Sequence, residues 1–309
     1  MRIGIHTSSS GALVNAAKKA VELGANCFQI FSASPRMWRA AMPSEASCGE
    51  MRRYRQEHGL APLVIHDSYL INLAAKDETV RAKSIAAFRG ELERAAAIGA
   101  EYLVMHPGSA KEHESIEAAL ETLAASLESA ARGLRIPGFM LLFENTAGAG
   151  STIGRTMEEL KELDRLAAPR LPFPTGFCLD TCHLYASGYD VASAAGLAAT
   201  VRQAGATLGL DRVPVIHAND SQGAFNSRLD RHANIGEGHI GLDGFRRILN
   251  HPKLRDKAFV LETPIDEPGD DRRNVDALKS LCQKRPTTTR KSSPSGRAAG
   301  TRIPRSIEP

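Results

Sequence analysis

No apolar run in the sequence approaches the roughly 18 residues that span a bilayer; the longest are "FMLLF" and "YLVM". A chain crossing the membrane as a helix is therefore not expected. The opening stretch "MRIGIHTSSSG" has an arginine but no apolar segment behind it, so no secretory signal is read there. Cysteine is sparse and poorly spaced for a scaffold. Cys27, Cys48, Cys178, Cys182 and Cys282 are odd in number and contain no CxxC pair. That argues against a disulfide framework or a zinc ribbon and for a reducing, cytoplasmic compartment. Most of the chain also lacks excess positive charge. Residues 283–309 carry Lys284, Arg285, Arg290, Lys291, Arg297, Arg302 and Arg305 against Glu308, a net +6 out of the +4 of the whole chain, which leaves the body at −2. Bulk charge therefore does not mark the body as a binder of nucleic acid.

What is present falls into two textures. The last 27 residues, "QKRPTTTRKSSPSGRAAGTRIPRSIEP", are rich in Pro, Ser, Thr and Arg and have almost no apolar content. Such a segment cannot bury enough surface to offset its chain entropy, and disorder is expected for 283–309. Residues 1–282 instead repeat short apolar runs: "RIGIH", "CFQIF", "PLVIH", "YLVMH", "MLLFE", "GFCLD", "PVIH" and "AFVLE". Runs this short and this apolar read as parallel strands buried on both faces. Helical patterns lie between most of them. Ile116, Leu120, Leu123, Leu127 and Ala130 recur on one stripe while Glu117, Glu121 and Glu128 face away. Thr156 and Glu159 fit a capping box, and Gly24 and Gly99 stand where helices end. Eight strands alternating with helices predict an α/β fold, a (β/α)8 TIM barrel forming one domain over 1–282. A doubly wound sheet is the alternative.

The ends of the runs carry the chemistry. Run one ends in His6, three in His66, four in His106, five in Glu144, six in Asp180, seven in His217 and eight in Glu262; only run two, ending in Phe31, breaks the pattern. In a barrel all these ends open on one face, where active sites are built. A lone His6 reads as an ordinary hydrogen-bonding residue. Six consecutive strands ending in His, Glu or Asp are another matter, because buried carboxylates need a counter-charge and no Lys or Arg lies among them. Divalent cations supply it, and His with carboxylate is a ligand set for zinc, manganese or iron.

Adding His183, Asp230 and His232 gives nine side chains with His66, His106, Glu144, Asp180, His217 and Glu262. One zinc takes about four ligands, so nine divide into three sets if one carboxylate bridges. Asp230 and His232, in "DRHANIGEG", are one residue apart and can point at one ion; His183 would complete that site, and the glycines that follow allow a tight turn. Three such ions against four carboxylates leave about +2, suited to a dianionic phosphoryl transition state, and clustered ions activate water. Phosphodiester hydrolysis fits this balance.

The segments "HDSYLINLA", "HPGS", "ENTAG", "LDTCHLYASGYD", "HANDS", "DRHANIGEGHIG" and "LET" closely resemble endonuclease IV, the zinc-dependent apurinic/apyrimidinic endonuclease family, from residue 2 to about 282. The resemblance implies a first zinc on His66, His106 and Glu144, a second on Glu144, Asp180, His217 and Glu262, and a third on His183, Asp230 and His232. Glu144 would bridge and Glu262 would orient the attacking hydroxide. Cleavage would fall 5′ to an abasic nucleotide in duplex DNA, leaving a 3′-hydroxyl and a 5′-deoxyribose phosphate, and blocked 3′ ends would also be trimmed. The enzyme would act as a monomer, associated with the nucleoid in a bacterium. Arg36, Tyr69 and Leu70 would wedge the DNA. Two departures stand out: Ser34, Pro35 and Met37 surround Arg36 where the family often has Asn-Gln and Gln, and Ala233 follows His232 where a second His is common. Cys178 and Cys182 flank Asp180 and read as packing residues. A single-metal sugar isomerase or epimerase needs only Glu144, Asp180, His217 and Glu262 and leaves the other five idle. A silent DNA-binding barrel would not need the ligands.

Overall fold

The expected apolar runs form the staves of a closed, wholly parallel barrel in a computed structural model that describes residues 1–283. The strands are β1 (Arg2–His6), β2 (Cys27–Phe31), β3 (Leu63–His66), β4 (Tyr102–Met105), β5 (Met140–Glu144), β6 (Thr175–Asp180), β7 (Val215–His217) and β10 (Ala258–Leu261), the last closing on β1. A separate antiparallel ladder, β8 (Asp220–Ser221) with β9 (His232–Ala233), sits in the long connection after β7. The helices are α1 (Leu13–Glu22), α2 (Glu45–His58), α3 (Glu78–Ile98), α4 (Ile116–Ala131), α5 (Met157–Ala167), α6 (Thr181–Ala186), α7 (Ala194–Thr207), α8 (Gly241–Asn250) and α9 (Asp270–Leu281). The doubly wound alternative is thereby excluded. Two strands end one residue before the last letter of their runs: His106 and Glu262 lie just past β4 and β10.

Local rules account for the helix ends. In α4 the hydroxyl of Ser115 accepts from Ala118 N at 3.2 Å, and the Leu120, Leu123 and Leu127 stripe is buried. Gly24 and Gly99 end α1 and α3 at φ +72° and +77°, a left-handed conformation that costs glycine nothing. The capping box at α5 is only half formed. Thr156 accepts from Glu159 N at 3.1 Å, but the Glu159 carboxylate accepts from Gly154 N and Arg155 N, tying the helix to the loop before it. Gln283, placed in the tail by composition, donates its N–H to Asn250 at 2.7 Å. The disorder expected for the remainder of the tail lies outside the described residues. No helix among the described residues is long and apolar enough to cross a membrane.

Two apolar layers sandwich the sheet. The larger fills the space between strands and helices. The smaller plugs the barrel's interior with Cys27, Val64, Val104, Leu142, Cys178, Val215, Ala258 and Val260. At β1 the interior position is Gly4, because a Cβ there would meet Cys27 O at 2.5 Å and Cys27 Sγ at 2.7 Å. Gly4→Ala should therefore push β1 from β2 and destabilise the fold by about 1–3 kcal/mol, read as a lower denaturant midpoint; an unchanged midpoint would mean that the barrel has slack at this seam.

Candidate metal centre

Side chains alternate across a strand, so the residue two beyond an inward-facing one also faces inward. Two steps beyond the interior plug residues come His66 after Val64, His106 after Val104, Glu144 after Leu142, Asp180 after Cys178, His217 after Val215 and Glu262 after Val260. The strand ends thus form a polar layer directly above the plug, at the barrel's mouth. The same count gives His6 after Gly4 and Gln29 after Cys27. Reading the last residue of each run missed Gln29. β2 continues two residues further to Phe31, whose ring instead packs between His6, His66 and Tyr69.

Glu144 is the hub of this layer and is fully buried. Its Oε2 lies 3.2 Å from His66 Nε2 and 3.0 Å from His106 Nε2, while its Oε1 lies 2.8 Å from His217 Nδ1. Each carboxylate oxygen therefore serves a different group. His66, His106 and Glu144 can place one ligand atom each within 4.8 Å of one another, and so can Glu144, Asp180, His217 and Glu262. Asp180 also caps the short helix α6 by accepting from His183 N at 2.8 Å, which fixes His183 beside it. Asn219 braces the second group. Its amide donates to Asp180 Oδ2 at 2.6 Å, and its Oδ1 accepts from Glu262 N at 2.7 Å.

His183, Asp230 and His232 form a third group by the same criterion. His183 Nε2 lies 3.1 Å and His232 Nε2 3.6 Å from Asp230 Oδ1, yet both nitrogens are buried without a hydrogen-bond partner. Two orphan imidazole nitrogens converging on a carboxylate fit a cation. A fourth grouping, Asp180, Cys182 and His232, includes a thiol. Burial pushes Cys182 up to about 12 and its Sγ faces Arg231 O at 3.6 Å, which suits a protonated packing residue.

The loop bearing this third group is held from beneath by a residue that the sequence did not single out. Asp220, fully buried on β8, accepts from the backbone N–H groups of Ser221, Gly236, Gly238, Ile240 and Gly241. A carboxylate wrapped in five N–H donors fixes the chain that follows His232, and the pairing of Ser221 with His232 fixes His232 itself. The two glycines of "GEG" have separate reasons. Gly236 turns at φ +90°, whereas a Cβ on Gly238 would strike Asp220 Oδ1 at 2.5 Å.

The three wedge candidates stand at the rim. Tyr69 is 71% exposed, lies edge-on to Phe31 and borders the crater formed by His66, His106, His183, Asp230, His232 and Glu262. Leu70 is half-buried beside it and Arg36 is exposed on the neighbouring turn. The two loops are joined: Ser68 Oγ donates to Pro35 O at 2.8 Å and accepts from Leu70 N.

Every ion-pair contact of the four carboxylates is with histidine. Burial alone would lower His66, but Glu144 and Glu262 outweigh it and push it to about 9. Burial likewise opposes the rise of His183, which Asp180 and Asp230 carry to about 10. Against the same penalty, His217 and His66 draw Glu262 down to about 2, and His183 does so for Asp230. With only side chains in the crater, protons on His66, His183 and His217, all held up by the neighbouring carboxylates, are the counter-charge.

The AP endonuclease 2 family model, described as "Xylose isomerase-like TIM barrel", matches residues 17–283. The "Probable endonuclease 4" of Solibacter usitatus is 57% identical over 281 residues, covering 91% of this chain and 97% of its own. The crystal structure of endonuclease IV from Thermus thermophilus superposes with a TM-score of 0.80 at 40% identity, over 91% of this chain and 98% of that one. A D-psicose 3-epimerase from Clostridium cellulolyticum H10 reaches a TM-score of 0.66 at 14% identity, over 91% and 98%, a likeness of fold alone.

The proton inventory sets a pH dependence for chelator-treated protein. His66 and His183 rise in the folded state from 6.5 to about 9 and about 10, so their stabilisation is full below 6.5 and lost as pH climbs through those values. Glu262 falls from 4.5 to about 2, so its contribution is present above 4.5 and lost as pH drops through 2. The melting temperature of chelator-treated protein should therefore peak between about pH 4.5 and 6.5 and fall toward pH 10, measured by calorimetry. A Tm flat from pH 6.5 to 10 would contradict the shared-proton picture.

Proposed function

The chain belongs to the endonuclease IV family of apurinic/apyrimidinic endonucleases, and from that premise we propose that it repairs DNA by hydrolysing the phosphodiester bond 5′ to abasic sites, using three zinc ions held by the barrel domain, residues 1–282. The products are a 3′-hydroxyl and a 5′-deoxyribose phosphate, and blocked 3′ ends are trimmed at the same site. All nine proposed ligands come from one chain, which suits a monomer working in the cytoplasm, on the nucleoid in a bacterium.

The observation that carries this reading is the third group. A single-ion epimerase needs only Glu144, Asp180, His217 and Glu262, yet His183 Nε2 and His232 Nε2 are buried without a hydrogen-bond partner and converge on Asp230 Oδ1, at 3.1 and 3.6 Å. We assign His66, His106 and Glu144 to the first ion, Glu144, Asp180, His217 and Glu262 to the second, and His183, Asp230 and His232 to the third. When bound, the ions supply positive charge that activates water and neutralises the leaving oxygen.

The side chains do the rest. Glu144, Asp180 and His217 are closed to solvent, whereas the Glu262 side chain is 18% exposed. Glu262 is thus the member of the second group that reaches the substrate side and can orient a water. Asn219 keeps its backbone in place. Tyr69 and Leu70 on one loop and Arg36 on the next, linked through Ser68, enter the duplex as a unit. An abasic nucleotide has no base to unstack, so extruding it avoids the few kcal/mol that an intact one would require.

Purified protein should nick a duplex with one tetrahydrofuran residue without added magnesium and should contain about three zinc ions per chain. His232→Ala should lose one ion and slow cleavage by at least about 100-fold. One ion per chain, no nicking and turnover of a ketose would instead establish the epimerase reading.

A further inference from the structure

The second barrel strand contributes a buried amide to a layer otherwise made of imidazoles and carboxylates, and we infer that Gln29 is a positioning residue that selects which nitrogen of His217 faces the second ion and holds the Glu262 carboxylate beside it. This rests on the metal assignment above.

Four of the five ligand histidines divide into two kinds. His66, His183 and His232 each direct Nδ1 to a backbone carbonyl, Asp67 O at 2.9 Å, Asn145 O at 2.9 Å and Glu262 O at 3.1 Å. A carbonyl only accepts, so Nδ1 carries the proton and Nε2 is left for a ligand. His217 is reversed. Its Nε2 meets Gln29 Oε1 at 2.9 Å, while its Nδ1 lies 2.8 Å from Glu144 Oε1 and 3.2 Å from Glu262 Oε2. Nε2 must therefore donate to the amide oxygen, and Nδ1 is the nitrogen offered to the ion. Among these four rings, His217 alone has its orientation fixed by a side chain.

The other end of the same amide is equally committed. Gln29 Nε2 donates to Glu262 Oε1 and, at 3.2 Å, to His6 Nδ1. Burial lowers His6 to about 4, so its ring is neutral and can accept. One oxygen and two N–H groups thus meet three partners, and a flipped amide would set its oxygen against a carboxylate and its N–H against the N–H of His217. Gln29 is fully buried between Phe28 and Ile30, which face the helices, so nothing else can take its place without a cavity or a water. An acid at this position would add a fifth negative charge to a layer short of cations. Glutamine supplies the acceptor and both donors without one.

The test uses the full chain, zinc-loaded and with 15N-labelled histidine. Long-range 1H–15N spectra of the wild type should show the zinc-bound ring of His217 with the proton on Nε2 and those of His66, His183 and His232 with it on Nδ1. Gln29→Met, close in volume, should keep the circular dichroism of the fold, release one zinc about 10–100-fold more readily to a competing chelator and lower kcat with little change in KM. Gln29→Glu restores an acceptor for His217 but not the donor to Glu262, and should recover zinc retention without recovering kcat. A wild-type spectrum in which every bound ring carries its proton on Nδ1 would overturn the inference, as would wild-type zinc retention in Gln29→Met. A wild type without zinc would remove the metal assignment itself, and this inference with it.

Discussion

The burial of Glu144 is the constraint from which the rest of the mouth follows. A carboxylate with no exposed surface, three others nearby and, among the described residues, no lysine or arginine in ion-pair contact would be expelled from a protein interior unless positive charge were built around it. The barrel answers with imidazoles, which carry a proton or give up a lone pair to a cation. Lysine could do only the first. The choice of histidine therefore makes the same cage stable with protons and specific for metal, and links its loading to proton release.

The strand-end pattern was legible because a barrel forces it. Parallel strands buried on both faces need unbroken apolar runs, and the next inward residue beyond the plug is the first that can be polar. Six of the nine ligand candidates were visible for that reason, His183, Asp230 and His232 lying outside the strand ends, and the structure brings ligand atoms of all nine into the clusters described above. The exceptions have one cause each. β2 extends past its layer residue, so the run's last letter was Phe31 and the functional amide was hidden two positions earlier in "CFQIF". Asp220 stood in the sequence as one letter of "HANDS" with no visible role, because its partners are backbone N–H groups of a loop 16 to 21 residues downstream. Sequence spacing reports side-chain identity; it does not report where a carboxylate finds amide protons.

The third group differs in kind from the other two. The first and second groups are made by staves of the barrel, and their geometry is fixed by the sheet's register. His232 and Asp230 lie on a connection, and their geometry is fixed by a two-rung ladder and one buried aspartate. The epimerase-like proteins share the barrel at low identity, and the barrel alone suffices to present the second group. In this chain the ordered connection after β7 is what adds the third group to the barrel.

The rim follows a similar division of labour. The departures around Arg36 put Pro35 and Met37 where polar residues are common in the family, but the backbone of Pro35 is what Ser68 grips. A carbonyl is supplied by any residue, so the link between the two wedge loops survives the change in side chains. Met37, 57% exposed, adds an apolar tip next to Arg36 rather than a hydrogen-bonding one. An apolar tip has no donor or acceptor to satisfy and gains from contact with any apolar or aromatic face. The loop thus keeps its position through the main chain while its side chains exchange hydrogen-bonding polarity for apolar surface.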